Sequence, residues 1–308
     1  MTLAEFLRYD AVPMLIGLLA GAACALPGTF LLLRRQALIG DAISHVVLPG
    51  IVVAFVVTGS RATWPMLLGA GAAALVAAGL IEAIRRLGRM EPGAAMGVVF
   101  TAMFAGGVLL LEVTDTSGVH LDVEHALYGS LESLIWFDAE GLGSLADPAA
   151  LAGLPPELAR MAGVTAVAAL FVAILWRPLA LSTFDEGYAR AVGVPVSALG
   201  AGLVAVAAAA AVAAFDAVGS ILVVAMFVCP PATARLLTDR LDATLLWAVA
   251  AAAVSAVLGV WLAGRAPLWL GAEQSVSAAG MIAVVSGLLL ALAAVFGPRR
   301  ARSTESPL

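Results

Sequence analysis

Asp41 and His45 combine a chemistry and a spacing that an apolar segment does not need for itself. They stand in the run Gly-Asp-Ala-Ile-Ser-His-Val-Val-Leu-Pro-Gly over residues 40–50, at the start of an otherwise apolar stretch. Four positions apart on a helix, they fall about one turn apart on one face. A carboxylate and an imidazole so placed can share one divalent cation, relay a proton, or satisfy each other by a hydrogen bond. Ionisable groups inside a membrane are costly and rare, so metal ligation or proton relay weighs about as much as a structural pair. Pro49 and Gly50 follow directly. They weaken the helix there and could free backbone carbonyls near the pair.

Other reactive side chains carry less. His120, Asp122, Glu124 and His125 cluster in one polar connection, which reads as a metal relay or, more simply, as an ordinary polar loop. Met226 and Cys229 lie three apart in an apolar run, where core packing outweighs a soft-metal path. Both cysteines, Cys24 and Cys229, fall in apolar stretches, so no disulfide framework is expected. The sequence contains no lysine, and all sixteen cations are arginine. That excludes a phosphate-loop lysine and a Schiff-base lysine. No basic patch for nucleic acid is present.

The elements that must position these residues are membrane helices. Of 308 residues, 62% are hydrophobic and 12% charged, with a mean hydropathy of +1.05. Soluble domains hold roughly 45–50% and about 25%. Stretches long and apolar enough to span a bilayer occur at 12–33, 38–57, 64–84, 94–113, 164–181, 198–215, 218–237, 243–263 and 276–296. Only Asp216 and Ala217 separate the sixth from the seventh, so one of them is a candidate broken helix and eight spans is the alternative. The expected fold is all-α: a polytopic transmembrane helical bundle of eight to nine spans, one domain over 1–308. Its longest connection runs over 114–162. The N-terminus lacks a basic leader segment, so no cleavable signal peptide is expected.

Arginine sets the orientation. With nine spans and the N-terminus outside, the inner side holds Arg34, Arg35, Arg85, Arg86, Arg89, Arg177, Arg190, Arg235, Arg240, Arg299, Arg300 and Arg302, and the outer side only Arg8, Arg61, Arg160 and Arg265. The expected topology is N-out and C-in. The 114–162 connection then faces outward. Its carboxylates, among them Asp115, Asp138 and Glu157, face Arg160 alone and would concentrate cations.

Four stretches resemble one family. Residues 40–50, preceded by Leu-Arg-Arg-Gln-Ala-Leu-Ile at 33–39, are similar to the signature of the zinc/manganese/iron-type ABC transporter permeases, the ABC-3 family. Val-Glu-His-Ala-Leu-Tyr-Gly-Ser-Leu at 123–131 resembles its outer-loop motif. Residues 183–194, Thr-Phe-Asp-Glu-Gly-Tyr-Ala-Arg-Ala-Val-Gly-Val, resemble its cytoplasmic segment that docks on the ATPase. Residues 217–235 resemble its late-span motif, departing from it in the paired prolines Pro230 and Pro231 and in Asp216 just before. The four follow the family's order.

The resemblance implies an ABC importer permease of a bacterial cytoplasmic (inner) membrane. It would be a non-catalytic subunit with no cofactor of its own, fed by a metal-binding solute receptor and working as a homodimer. ATP-Mg would sit on a separate ABC ATP-binding subunit. Asp41 and His45 would guide the metal, with His125 and His120 as secondary candidates outside. Asp185, Glu186, Tyr188, Ala189, Arg190 and Gly193, within a segment spanning 183–195, would form the ATPase-coupling helix. Asp plus His suits Zn²⁺ and Mn²⁺, and possible Fe²⁺, alike; the histidines outside tilt the reading slightly to zinc. An ion-coupled secondary carrier, with Asp41 and His45 as a proton relay, is the alternative. An intramembrane metalloenzyme would need a third protein ligand and an open position, and the spans offer no dense ligand cluster.

Overall fold

A computed structural model describes residues 2–59, 63–113, 129, 131–269 and 276–298. Within the helices, the side chains of Asp41, His45 and Asp216 lie outside the described atoms, as do His120 and His125 entirely. The described secondary structure is helical, without strands among the described residues. The principal helices are α1 (Val12–Leu33), α2 (Leu38–Thr58), α3 (Thr63–Gly88), α4 (Pro92–Val113), α5 (Pro156–Ile174), α6 (Trp176–Phe184), α7 (Glu186–Ala191), α8 (Val196–Leu237), α9 (Leu241–Trp269) and α10 (Ala278–Phe296). Eight described segments are long and apolar enough to cross a membrane, with α8 supplying two; α2 adds a shorter apolar stretch, Pro49–Thr58. This agrees with the expected eight to nine.

Helix α1 forms the centre. Nearly three quarters of its apolar window is buried (72%), against 17% for α3 and 22% for α4. It packs against α5, α8 and α9, while α2, α3 and α4 form a second group joined to the first through α8. Lipid tails are as apolar as leucine, so close packing rather than water exclusion must hold such helices together. Small residues supply it. Gly21 of α1 faces Ala252 of α9, where a Cβ on the glycine would stand 3.0 Å from the alanine methyl.

The apolar run at 198–237 is not one rod. A straight helix over Val196–Leu237 would be about 63 Å long. Yet a Cβ on Gly200 would stand 3.8 Å from Arg34 Nη1, and a Cβ on Gly28 would stand 2.6 Å from the Phe227 carbonyl oxygen. Gly28 and Arg34 are only about 9 Å apart along α1, whereas Gly200 and Phe227 would be about 40 Å apart on a straight helix. The chain therefore folds back within α8. The break is at Gly219, with φ 77° and ψ 169°, a conformation essentially confined to glycine. The break falls just past the narrow gap at Asp216–Ala217, at the start of the seventh apolar stretch.

One expectation shifts. The fifth apolar stretch is expected at 164–181, but α5 begins at Pro156 and ends at Ile174, so the outward connection expected over 114–162 stops earlier. Glu157 and Arg160, one turn apart and 3.4 Å from contact to contact, neutralise each other at its start. Trp136, in the connection between α4 and α5, is buried. Its Nε1–H donates to the Ala150 carbonyl at 2.8 Å, and its backbone N–H donates to the Arg8 carbonyl at 3.0 Å.

Candidate functional site

Helix α2 carries positions 41 and 45 one turn apart near its start, as the spacing predicted. The neighbours of these positions are described. Ala42 and Val46 are buried. Gly40 lies against the Phe227 ring, so that a Cβ there would stand 2.6 Å from Cγ. The site helix is thus pressed onto the returning half of α8, which carries the fourth family-like stretch. No group of three or more His, Cys, Asp or Glu side chains gathers among the described residues.

A cavity of about 790 Å³ opens at the arginine-rich end of the bundle. Ile39 and Ala42 of α2, which flank Asp41 in the sequence, line it together with Arg34, Arg35, Glu82, Arg85, Glu186 and Arg190. It joins the start of the site helix to the segment at 183–195. At the opposite end Arg265 lies 3.8 Å from Asp10, and Arg8 Nη2 donates to the Ala139 carbonyl at 3.3 Å. Arg34, Arg35, Arg85 and Arg190, which the charge count puts on one side, thus sit at one end, and Arg8 and Arg265, which it puts on the other, at the opposite end.

The segment 183–195 forms a capped, exposed helix. Asp185 is extended, and its Oδ1 accepts from the Tyr188 N–H at 2.8 Å, an N-cap that satisfies one orphan donor. Glu186 and Arg190, one turn apart, are ion-paired. Gly193 ends the helix at φ 85°; its N–H donates to the Arg190 carbonyl at 3.1 Å, and the Val194 N–H to the Ala189 carbonyl at 2.9 Å. This pair of hydrogen bonds forms a left-handed cap that favours glycine. Ala189 is fully buried beneath the helix. Tyr188 stays 56% exposed, flanked by Phe184 at 62% and Val192 at 52%. Sequence reasoning selected the charged and capping residues but passed over Phe184 and Val192. Their apolar character in a polar connection was the available signal.

Arg34 sits between these parts. Its Nη2 donates to Ser182 Oγ at 2.9 Å, and its Nε donates to Thr183 Oγ1 at 3.1 Å. Burial holds the Arg34 pKa below the ordinary arginine value, and the negative charge of Glu186 opposes that shift.

The ABC 3 transport family model matches residues 9–137 and 151–297, most of the chain. The chain belongs to the ABC 3 transport family. It is a multi-pass membrane permease of that family, with the α-helical importer fold expected from the sequence. Among relatives, it is 38% identical over 292 residues to the manganese transport system membrane protein MntD of Bacillus subtilis, covering 95% of this chain and 93% of the relative. It is 34% identical over 287 residues to the zinc transport system membrane protein TroD of Treponema pallidum, covering 93% and 73%. Among solved structures, PsaBC from Streptococcus pneumoniae in complex with Fab superposes with a TM-score of 0.76 at 25% identity, over 96% of this chain and 95% of that one.

Proposed function

We propose that this chain, one domain over 1–308, is the membrane subunit of an ATP-driven importer of a divalent metal ion, Mn²⁺ or Zn²⁺. ATP-Mg is bound and hydrolysed on a separate subunit seated on residues 183–195. The observation that carries this reading is the exposed apolar trio Phe184, Tyr188 and Val192 around a capped helix. Phe184 lines a cavity that reaches the site helix, in a permease with no lysine for a phosphate loop of its own. Asp185 and Gly193 fix the two ends of that helix, Glu186 and Arg190 brace it, and Ala189 seats it on the bundle.

Asp41 and His45 serve as metal ligands in the path. A carboxylate and an imidazole suit Zn²⁺, Mn²⁺ or Fe²⁺ rather than a soft-metal thiolate site, and a second copy of the chain would double the set. His125, with His120 as a secondary candidate, receives the ion from an external receptor protein. The exposed faces of α3 and α4 meet lipid and the second copy. The N-terminus lies outside and the C-terminus in the cytoplasm of a bacterial cell. Manganese is the first metal to test, because a relative named for it shares 38% of its residues with this chain.

The test is uptake of Mn²⁺, Zn²⁺ and Fe²⁺ into proteoliposomes holding the permease, its ATPase and its receptor. Uptake should require both the ATPase and ATP. Equal uptake by the permease alone would replace this reading with an ion-coupled carrier.

A further inference from the structure

The helix carrying Asp41 and His45 and the helix proposed as the ATPase seat are joined by one side chain. Arg34 closes α1, and α2 begins four residues later. The turn between them is tight. The Gln36 N–H donates to the Leu31 carbonyl at 2.8 Å, the Arg35 N–H to Leu32 at 3.0 Å, and the Ile39 N–H to Gln36 at 3.0 Å. Arg35 takes the left-handed conformation, φ 59°, which a non-glycine residue adopts only at a cost. The α2 start is therefore held in a fixed relation to the end of α1.

On the other side stand Ser182 and Thr183, directly before the docking helix. Both hydroxyls donate back to the Leu179 carbonyl, at 3.2 and 2.7 Å. That leaves their oxygens turned to accept from Arg34, with Nη2 taking one and Nε the other. These two donors share one edge of a planar guanidinium, so the pair of bonds fixes orientation as well as distance. Separately, the Phe30 and Trp176 rings meet edge-on at 6.4 Å and hold α1 against α6 by apolar contact. The two helices thus meet through an apolar ring contact as well as through Arg34, which supplies the polar link at the arginine-rich end.

We propose that Arg34 is a positioning residue that couples movement of the docking helix to α2. A shift of residues 183–195 pulls the Ser182–Thr183 edge, the guanidinium carries that shift to the α1–α2 turn, and the α2 start moves against Phe227. This inference rests on the reading of 183–195 as the ATPase seat.

The test measures metal ions moved per ATP hydrolysed in proteoliposomes with the full complex. Arg34→Ala and Arg34→Lys should still co-purify the ATPase and hydrolyse ATP, while ions moved per ATP fall about tenfold. Lysine fails because a single ammonium cannot reproduce the two-donor edge. Ser182→Ala with Thr183→Val should give the same loss with the guanidinium intact, and adding Arg34→Ala to that pair should lower the ratio no further. That pair supplies the readout even where Arg34→Ala does not accumulate. An unchanged ratio in the Arg34 variants overturns the proposal, as does a parallel fall in hydrolysis and uptake. Loss of ATPase co-purification would make Arg34 part of the seat and also overturns it. Failure of the underlying reading is seen separately, as a Tyr188→Asp complex that retains its ATPase and its uptake.

Discussion

At the arginine-rich end, side chains join the helices: Arg34 reaches Ser182 and Thr183, Glu186 pairs with Arg190, and a 790 Å³ cavity lies among them. At the opposite end Arg265 reaches Asp10 and Arg8 the Ala139 carbonyl, but the chain reversal itself is held where backbone meets backbone. Gly129 takes φ 67° and rests on the reversal at Val218–Gly219, where a Cβ on it would overlap the Val218 carbonyl carbon. A guanidinium on a long side chain can move together with the groups it is bonded to. A contact between two glycine-bearing backbones has no spare atom to move. The difference assigns adjustment to the first end and a fixed hinge point to the second.

Substitutions that break the fixed end should have the largest effects. Gly219→Ala forces a side chain into a backbone conformation that excludes it, at a cost of order 1–3 kcal/mol. The detergent-solubilised permease should lose its folded lifetime on heating, measured by fluorescence-detected size exclusion. A lifetime equal to wild type would mean that the reversal at 219 is not strained. Gly129→Ala comes next. Its methyl group meets backbone, and overpacking of this kind costs about 1–3 kcal/mol where nothing can shift. The same assay should show a smaller loss than at 219.

At the adjustable end the effects should fall on assembly instead. Tyr188→Asp places a charge on an exposed apolar position and should reduce ATPase co-purification about tenfold, equivalent to about 1.4 kcal/mol, with the permease's own heat stability unchanged. A destabilised permease would mean that Tyr188 packs against its own bundle. The smallest effect belongs to Arg265→Gln. The Arg265–Asp10 pair spans 3.8 Å with both side chains partly exposed, and such pairs contribute under about 1 kcal/mol. Arg265 also lies over the Trp261 ring, 5.2 Å from its centroid. A clear loss of folded lifetime in that variant would show that the far end depends on side chains as well.

Much of the fold was legible because lipid imposes one requirement, a long apolar run, and each run became a helix. The reversal at Gly219 was visible from a gap just before it, too short for a loop. The start of α5 was hidden, since a charge count treats Glu157 and Arg160 as an end, whereas on a helix they neutralise each other. Of the candidate site, the Asp41/His45 spacing and the caps of the 183–195 segment were local patterns and could be read directly. The link from Arg34 to Thr183 spans 149 positions, and nothing in local spacing announces a contact of that range.

The central claim is that energy enters at the arginine-rich end and is spent on a metal held by α2. The direct measurement is Mn²⁺ uptake by complexes carrying Asp41→Asn or His45→Ala, purified with their ATPase. Both should assemble and hydrolyse ATP yet lose uptake by at least about tenfold, the scale on which loss of a ligand-site interaction acts. Uptake at the wild-type rate in both would contradict the account.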